Sequence, residues 1–143
     1  MAETEEGRVP PEGFEVSRSR GPFTTRNGPV FRAIDKDDPR SGIWVLDRHC
    51  NSMGFMHGGM VSSFADGALA WAVWHATRKM SVTLKLSTSF FGTIRPDDWL
   101  EAHPEVLSVH DGIVQVHARL LVGGDKLAAR ADGTFRALRR TAK

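Results

Sequence analysis

Residues 58–75 read GGMVSSFADGALAWAVWH, a stretch with no proline. Met60, Phe64, Ala68 and Trp71 recur at three- and four-residue intervals, which predicts a helix of about 18 residues. Val61, Ala65, Leu69, Ala72 and Val73 fill much of the remaining circumference. A helix that is apolar on most sides has to be wrapped by something larger than one neighbouring helix. Two features run against stability: adjacent glycines at the helix start, and Asp66 in its interior, which costs roughly 0.5–0.7 kcal/mol relative to Ala before any burial of charge. They call for a reason other than folding.

The rest of the chain supplies the wrapper. PVFRAI (29–34) and GIWVLD (42–47) flank a polar, proline-containing turn and predict a hairpin. After the helix, SVTLKLSTSFFG (81–92), WLEAHPEVLSV (99–109), IVQVHARLLV (113–122) and KLAARADGTFRAL (126–138) read as strands. His110-Asp111-Gly112 and Gly123-Gly124-Asp125 are tight-turn signals between the last three. The expected order is two strands, one long helix, then an antiparallel meander of four strands, an α+β chain. Residues 1–13, rich in Pro, Gly and Glu, are expected to form a mobile arm. Residues 14–139 are expected to form one domain and 140–143 a tail.

With 143 residues, 41% hydrophobic and 25% charged, the composition is that of an ordinary globular protein with one core. A formal charge of +2 is too slight for a nucleic-acid surface. The basic cluster Arg136, Arg139, Arg140 and Lys143 reads as a solvated tail. No run reaches membrane-spanning length, and the acidic N-terminus lacks the apolar core of a signal peptide; a cytoplasmic location is expected. Cys50 is the sole cysteine, which excludes an internal disulfide. His49, Cys50 and His57 lack the paired spacing of a zinc site, so no metal is expected.

Gly58 and Gly59 lie where loop becomes helix. Backbone N–H groups there have no intrahelical partner, and the positive end of the helix dipole is behind them. Such donors suit a carbonyl oxygen that becomes an oxyanion when its carbon is attacked, although a glycine pair taken alone also fits a closely packed turn. Asp66, nine positions beyond His57, lies within the apolar segment, where an ionised carboxylate needs a polar cleft or a partner.

The pattern Asn51-x-x-Gly54-x-x-His57-Gly58-Gly59 followed by Asp66 resembles the signature of PaaI-type acyl-CoA thioesterases. GPF (21–23), NGPVFR (27–32) and RHCN (48–51) are similar to segments of that family. The resemblance implies a hot-dog fold, one helix held in a curved antiparallel sheet of five to six strands. It implies that the Gly58 amide polarises the thioester carbonyl, and that Asp66 attacks the carbonyl carbon or activates a water. Asp66 would face the glycine turn of a neighbouring subunit, in a homodimer with shared sites that pairs again into a homotetramer. Asn51, His57 and Thr83 would orient the reacting groups. Alternation places Thr83 opposite Val82 and Leu84. Gly59, Lys85 and Arg95 are candidates for holding coenzyme A, which is part of the substrate; no further cofactor is implied. Family members carry a glycine in the turn that reads Arg95-Pro96-Asp97-Asp98-Trp99 here, so a different turn is expected. A non-catalytic acyl-CoA-binding protein is the alternative, and Asp66 counts against it, because binding alone needs no carboxylate beside the thioester. A cysteine hydrolase built on Cys50, His57 and Asp66 fits poorly, since the thiol is not at a helix start.

Overall fold

A computed structural model describes residues 8–139. In chain order they form β1 (Phe14–Val16), α1 (Pro22–Asn27), β2 (Val30–Ala33), β3 (Ser41–Trp44), α2 (Gly58–Thr77), β4 (Ser81–Phe90), β5 (Trp99–His110), β6 (Ile113–Val122) and β7 (Lys126–Ala137). The long apolar run is α2, and the hairpin forms as β2 and β3, with Arg32 opposite Ser41.

The sheet has seven antiparallel strands in the order β1-β2-β3-β5-β6-β7-β4. That is more than the five to six expected, because Phe14–Val16 adds a strand along β2. The four-strand meander is also corrected. Tight turns join β5 to β6 and β6 to β7, but β4 pairs with β7 at the far edge. Residues 91–98, which carry no two-residue hairpin signal, cross to bring β5 alongside β3.

The sheet curls around α2, whose Val61, Phe64, Ala65, Ala68, Leu69, Ala72 and Val73 are buried against it. Met60 and Trp71 flank this buried stripe and are only partly covered. Gly133 on β7 permits the close approach: a Cβ there would lie 3.0 Å from Leu69 Cδ1 and 2.7 Å from Phe135 Cε1. A second cluster of Phe14, Phe31 and Trp99, with Trp44 against it, packs apart from the main core. Residues 8–13 of the expected arm rest on this second cluster, where the Val9 carbonyl accepts from Trp44 Nε1 at 3.0 Å and Arg8 pairs with Asp97. Residues 1–7 of the arm and the expected tail over 140–143 lie outside the described residues. Asp97 takes the left-handed conformation (φ 75°) in the turn before β5, so an aspartate fills a position that favours glycine.

A β-bulge between Thr83 and Lys85 shifts the phase of β4. Before it, Thr83 points to α2; after it, Leu86 packs on the core and Thr88 bonds Ser62 of α2. Val82 and Leu84 are left 45% and 54% exposed. Among the described residues no helix is long and apolar enough to cross a membrane.

Candidate active site

The loop before α2 is held by Asn51. Its Oδ1 accepts from the amides of Met53 at 3.0 Å and Phe55 at 3.1 Å, an Asx turn that shapes the chain ahead of the helix. Gly54 completes the turn at φ +83°, a conformation few other residues adopt. The Asn51 Nδ2 donors have no partner among the described residues and remain available. The following backbone is clamped by His57 N–H to the His49 carbonyl (2.9 Å) and Met56 N–H to the Ile94 carbonyl (2.6 Å).

His57 is the N-cap of α2, and its Nδ1 accepts from the Gly59 amide at 2.9 Å. The amides of Met60 and Val61 reach the His57 carbonyl at 2.8 and 3.0 Å. Of the first four helical N–H groups, only that of Gly58 finds no acceptor among the described residues. The cap therefore leaves one donor open at the positive end of a 20-residue helix. A Cβ on Gly58 would lie 3.5 Å from the Phe90 ring of β4, so the helix start sits against that strand.

Asp66 lies two turns further along, half-buried, on the side of α2 that faces β4. Thr83 Oγ1 donates to its Oδ1 at 2.6 Å. The bulge makes this contact, because it lets Thr83 face the helix while the next inward residue is Leu86. Oδ2 carries no hydrogen bond from the described residues, so the carboxylate is oriented at one oxygen and open at the other. Ser62 and Thr88, joined at 3.0 Å, make a second polar link between α2 and β4. Nothing in the sequence marked that pair, since a Ser and a Thr on two elements carry no pattern of their own.

The chain brings Asp66 to Thr83, and His57 to Gly59, but it does not bring Asp66 to Gly58. Eight residues of helix separate them, a rise of about 12 Å. Lys85 follows the bulge on exposed strand, and Arg95 stacks over Phe55 at 4.8 Å, in the loop beyond β4. Neither touches Asp66 or Gly58.

Other groups are committed elsewhere. His49 is buried, with Nδ1 accepting from Leu46 N–H at 3.0 Å and Nε2 at 2.6 Å from the Asn27 carbonyl. Both ring nitrogens are spent, so it offers no lone pair to a metal. Burial, with Asp47 adding, pushes the Cys50 thiol up, the opposite of what a nucleophilic cysteine needs.

The family model described as the thioesterase superfamily matches residues 53–129, from the loop before α2 to β7. A Pseudomonas aeruginosa protein named "Putative esterase PA0474" is 34% identical over 130 residues, 87% of this chain and 95% of its own. Among solved structures, the PaaI protein of the Escherichia coli phenylacetic acid degradation operon superposes with a TM-score of 0.67 at 19% identity, covering 74% of this chain and 78% of that one. The BH2602 protein of Bacillus halodurans, solved with CoA, gives 0.64 at 17% identity over 69% and 66% of the two chains. These two likenesses establish the hot-dog fold. The match through the glycine turn and α2, together with the esterase relative, places the chain in the thioesterase superfamily, and it is a hydrolase.

Proposed function

We propose that the protein is an acyl-CoA thioesterase that hydrolyses its substrate to a free carboxylic acid and coenzyme A. The observation that carries this reading is the pairing of one open helix-start amide, Gly58 N–H, with one carboxylate, Asp66, that is aimed by Thr83 and open at Oδ2. A binding protein needs the first of these and not the second.

In the reaction, the thioester oxygen accepts from Gly58 N–H. Charge that develops on it is stabilised by this donor and the helix dipole; one such donor is typically worth about 3–4 kcal/mol. Acting as a general base, Asp66 takes a proton from water as the oxygen adds to the carbonyl carbon. Collapse then breaks the C–S bond, and the thiolate leaves with that proton as coenzyme A. Acting as a nucleophile, Asp66 Oδ2 forms the new bond itself and water cleaves the resulting anhydride. Both roles use the same open oxygen. Asn51, through its Nδ2 donors, orients the water or the carbonyl, and His57 shapes the turn. Gly59, Lys85 and Arg95 are proposed to meet the coenzyme A portion, the two side chains by charge. Water is the second reactant, and no metal or separate cofactor takes part.

The separation of about 12 Å between Gly58 and Asp66 along one helix supports a site completed by a second copy. β4 is the long edge strand of the sheet, with Val82, Leu84 and Phe90 exposed along it and Phe91 just beyond its end. An apolar, unpaired edge of this length invites pairing with a second sheet. A homodimer joined there sets Asp66 of one copy toward Gly58 of the other, and dimers pair again into the tetramer.

Thiol release from acetyl-, phenylacetyl-, hydroxybenzoyl- and medium-chain acyl-CoA, measured for wild type and Asp66→Asn, tests the reading. Turnover that the substitution abolishes in a protein of unchanged melting temperature supports it. Inert wild type across the panel overturns it in favour of acyl-CoA binding without turnover. Sedimentation of a purely monomeric active enzyme overturns the shared site.

A further inference from the structure

A cavity of about 720 Å³ opens between α2 and the paired strands β1 and β2, on the flank of the helix away from the sheet centre. Its innermost charge is Arg32 of β2. Arg32 Nη1 donates to Ser41 Oγ at 2.6 Å, and the guanidinium lies over the Trp71 ring at 5.1 Å. Among the described residues neither the buried Arg32 Nε nor Nη2 has a hydrogen-bond partner. Trp71 Nε1, in the same wall, is likewise buried and unpartnered. Burial pushes Arg32 down to about 10, so it remains a cation at neutral pH.

Buried guanidinium groups are as a rule paired, because an unmatched ion loses its hydration without return. Arg32 is an exception with a definite shape. Ser41 takes Nη1, which leaves the Nε/Nη2 edge, the two parallel N–H groups that match a carboxylate in a bidentate pair. Glu15 is its direct cross-strand neighbour and Asp35 is on the cavity wall, yet neither forms an ion pair with it. Arg18, Lys36, Arg78 and Lys79 outnumber those two acids around the cavity, so the local field favours an anion. Ala70, Trp71 and Trp74 give the interior apolar walls. The ligand class that fits is an apolar body ending in a carboxylate.

The cavity also has a direction. A second, smaller cavity of about 50 Å³ adjoins it, sharing Thr24, Arg32 and Gly67 as lining and bounded by Ser63 and Met60 toward the start of α2. The lining nearest the helix start is Met60, two residues beyond Gly58, and it is from there that an acyl group would run along α2 toward Arg32.

We infer that Arg32 is a specificity-determining residue whose free Nε/Nη2 edge binds the terminal carboxylate of an ω-carboxyacyl thioester. The inference rests on the acyl-CoA thioesterase reading for the reaction, but the carboxylate site stands on its own geometry.

The test compares charged and neutral thioesters of equal length, adipyl- with hexanoyl-CoA and suberyl- with octanoyl-CoA, in wild type, Arg32→Gln and Arg32→Lys. Wild type is expected to favour the ω-carboxyacyl member of at least one pair. Arg32→Gln should lower the charged-to-neutral ratio of kcat/KM by about 10- to 100-fold, mainly through KM. Arg32→Lys, which keeps the charge and loses the fork, should fall between. It also serves as the reporter if the Gln variant does not fold. In parallel, calorimetric titration of wild type and variants with adipate and suberate reads the site without turnover. A ratio that does not respond to either substitution overturns the inference. Inert wild type that still binds suberate through Arg32 overturns the hydrolytic reading and the acyl assignment with it, and identifies a site for a free organic acid. Active wild type with no Arg32-dependent selectivity or binding overturns the inference alone.

Discussion

Two carboxylates on opposite sides of the sheet show what distinguishes a group that holds the fold from one that is free to react. Glu101 of β5 is 7% exposed and accepts from three side chains: Trp99 Nε1 at 2.8 Å, His103 Nε2 at 2.8 Å and Arg40 Nη1 at 3.2 Å. Arg40 is fixed in turn by Asp38 at 2.6 Å. Asp66 is half-buried and, among the described residues, accepts from Thr83 alone. Engagement of both oxygens, in a side chain that is almost wholly buried, makes Glu101 a tie between the hairpin β2–β3 and β5 rather than a group open to chemistry. Asp66 has the reverse arrangement: its position is fixed at one oxygen and its reactivity is kept at the other.

Exchanging the two roles by mutation is the sharpest way to break this comparison. Asp66→Asn keeps the shape and the Thr83 contact but removes the negative charge, so thiol release should fall by about 10²- to 10⁴-fold with the melting temperature essentially unchanged. If Asp66→Asn lost stability instead, the carboxylate would belong with Glu101 as a structural group. Glu101→Ala should do the opposite. It leaves Trp99 Nε1, His103 and Arg40 without their acceptor, a loss of about 2–4 kcal/mol in urea unfolding, while the folded fraction retains its kcat. An equal loss of kcat in Glu101→Ala would show that the two regions are coupled.

The same contrast governs how much of the molecule was legible in the sequence. Helix α2 was, because periodicity and the absence of proline are local properties; it runs from Gly58 as expected and ends at Thr77, two residues beyond the expected stop. The hairpin and the β5–β6–β7 meander follow from turn residues for the same reason. The pairing of β4 with β7 did not, since it depends on where residues 91–98 carry the chain. Alternation along Val82, Leu84 and Leu86 predicts a common face, yet the bulge sends the first two outward and the third into the core. Within the site, the His57 cap and the Gly58 amide are readable from neighbouring residues. Arg32, within NGPVFR, carries no signal of its own, because what makes it unusual is the distance to Ser41 and the overlap with Trp71, neither of which has a sequence pattern.

Thr83 sharpens the comparison at an intermediate size of effect. Thr83→Val keeps the branched shape and deletes the single hydrogen bond that sets the Asp66 carboxylate. Steady-state kcat/KM should drop by about tenfold, as expected for loss of one orienting bond to a charged group. Thr83→Ser, which retains the hydroxyl, should stay within about threefold of wild type. Similar losses in both variants would assign the position to packing along β4 rather than to orientation.

The smallest effect concerns His75, on the flank of α2 that carries Trp71, whose ring it meets edge-on at 5.0 Å. Burial lowers the pKa of His75, Arg78 adds to the lowering and Arg32 contributes slightly, while Asp38 and Asp37 oppose it. The unfolded chain therefore binds this proton at a higher pH than the folded one. Stability is at its full value above the ordinary imidazole range and is lost as pH falls below about 6.5 toward the depressed folded value. Melting temperatures recorded from neutral pH downward should decline through that window, and His75→Gln should flatten part of the decline without changing the melting temperature at neutral pH by much. A profile that His75→Gln leaves untouched would return the acid sensitivity to the paired carboxylates. Asp38 is the first of these: burial raises its pKa, but its bonds to Arg40 prevail and hold it below the usual range, so its contribution is lost only at more acid pH, and the two groups separate along the pH axis.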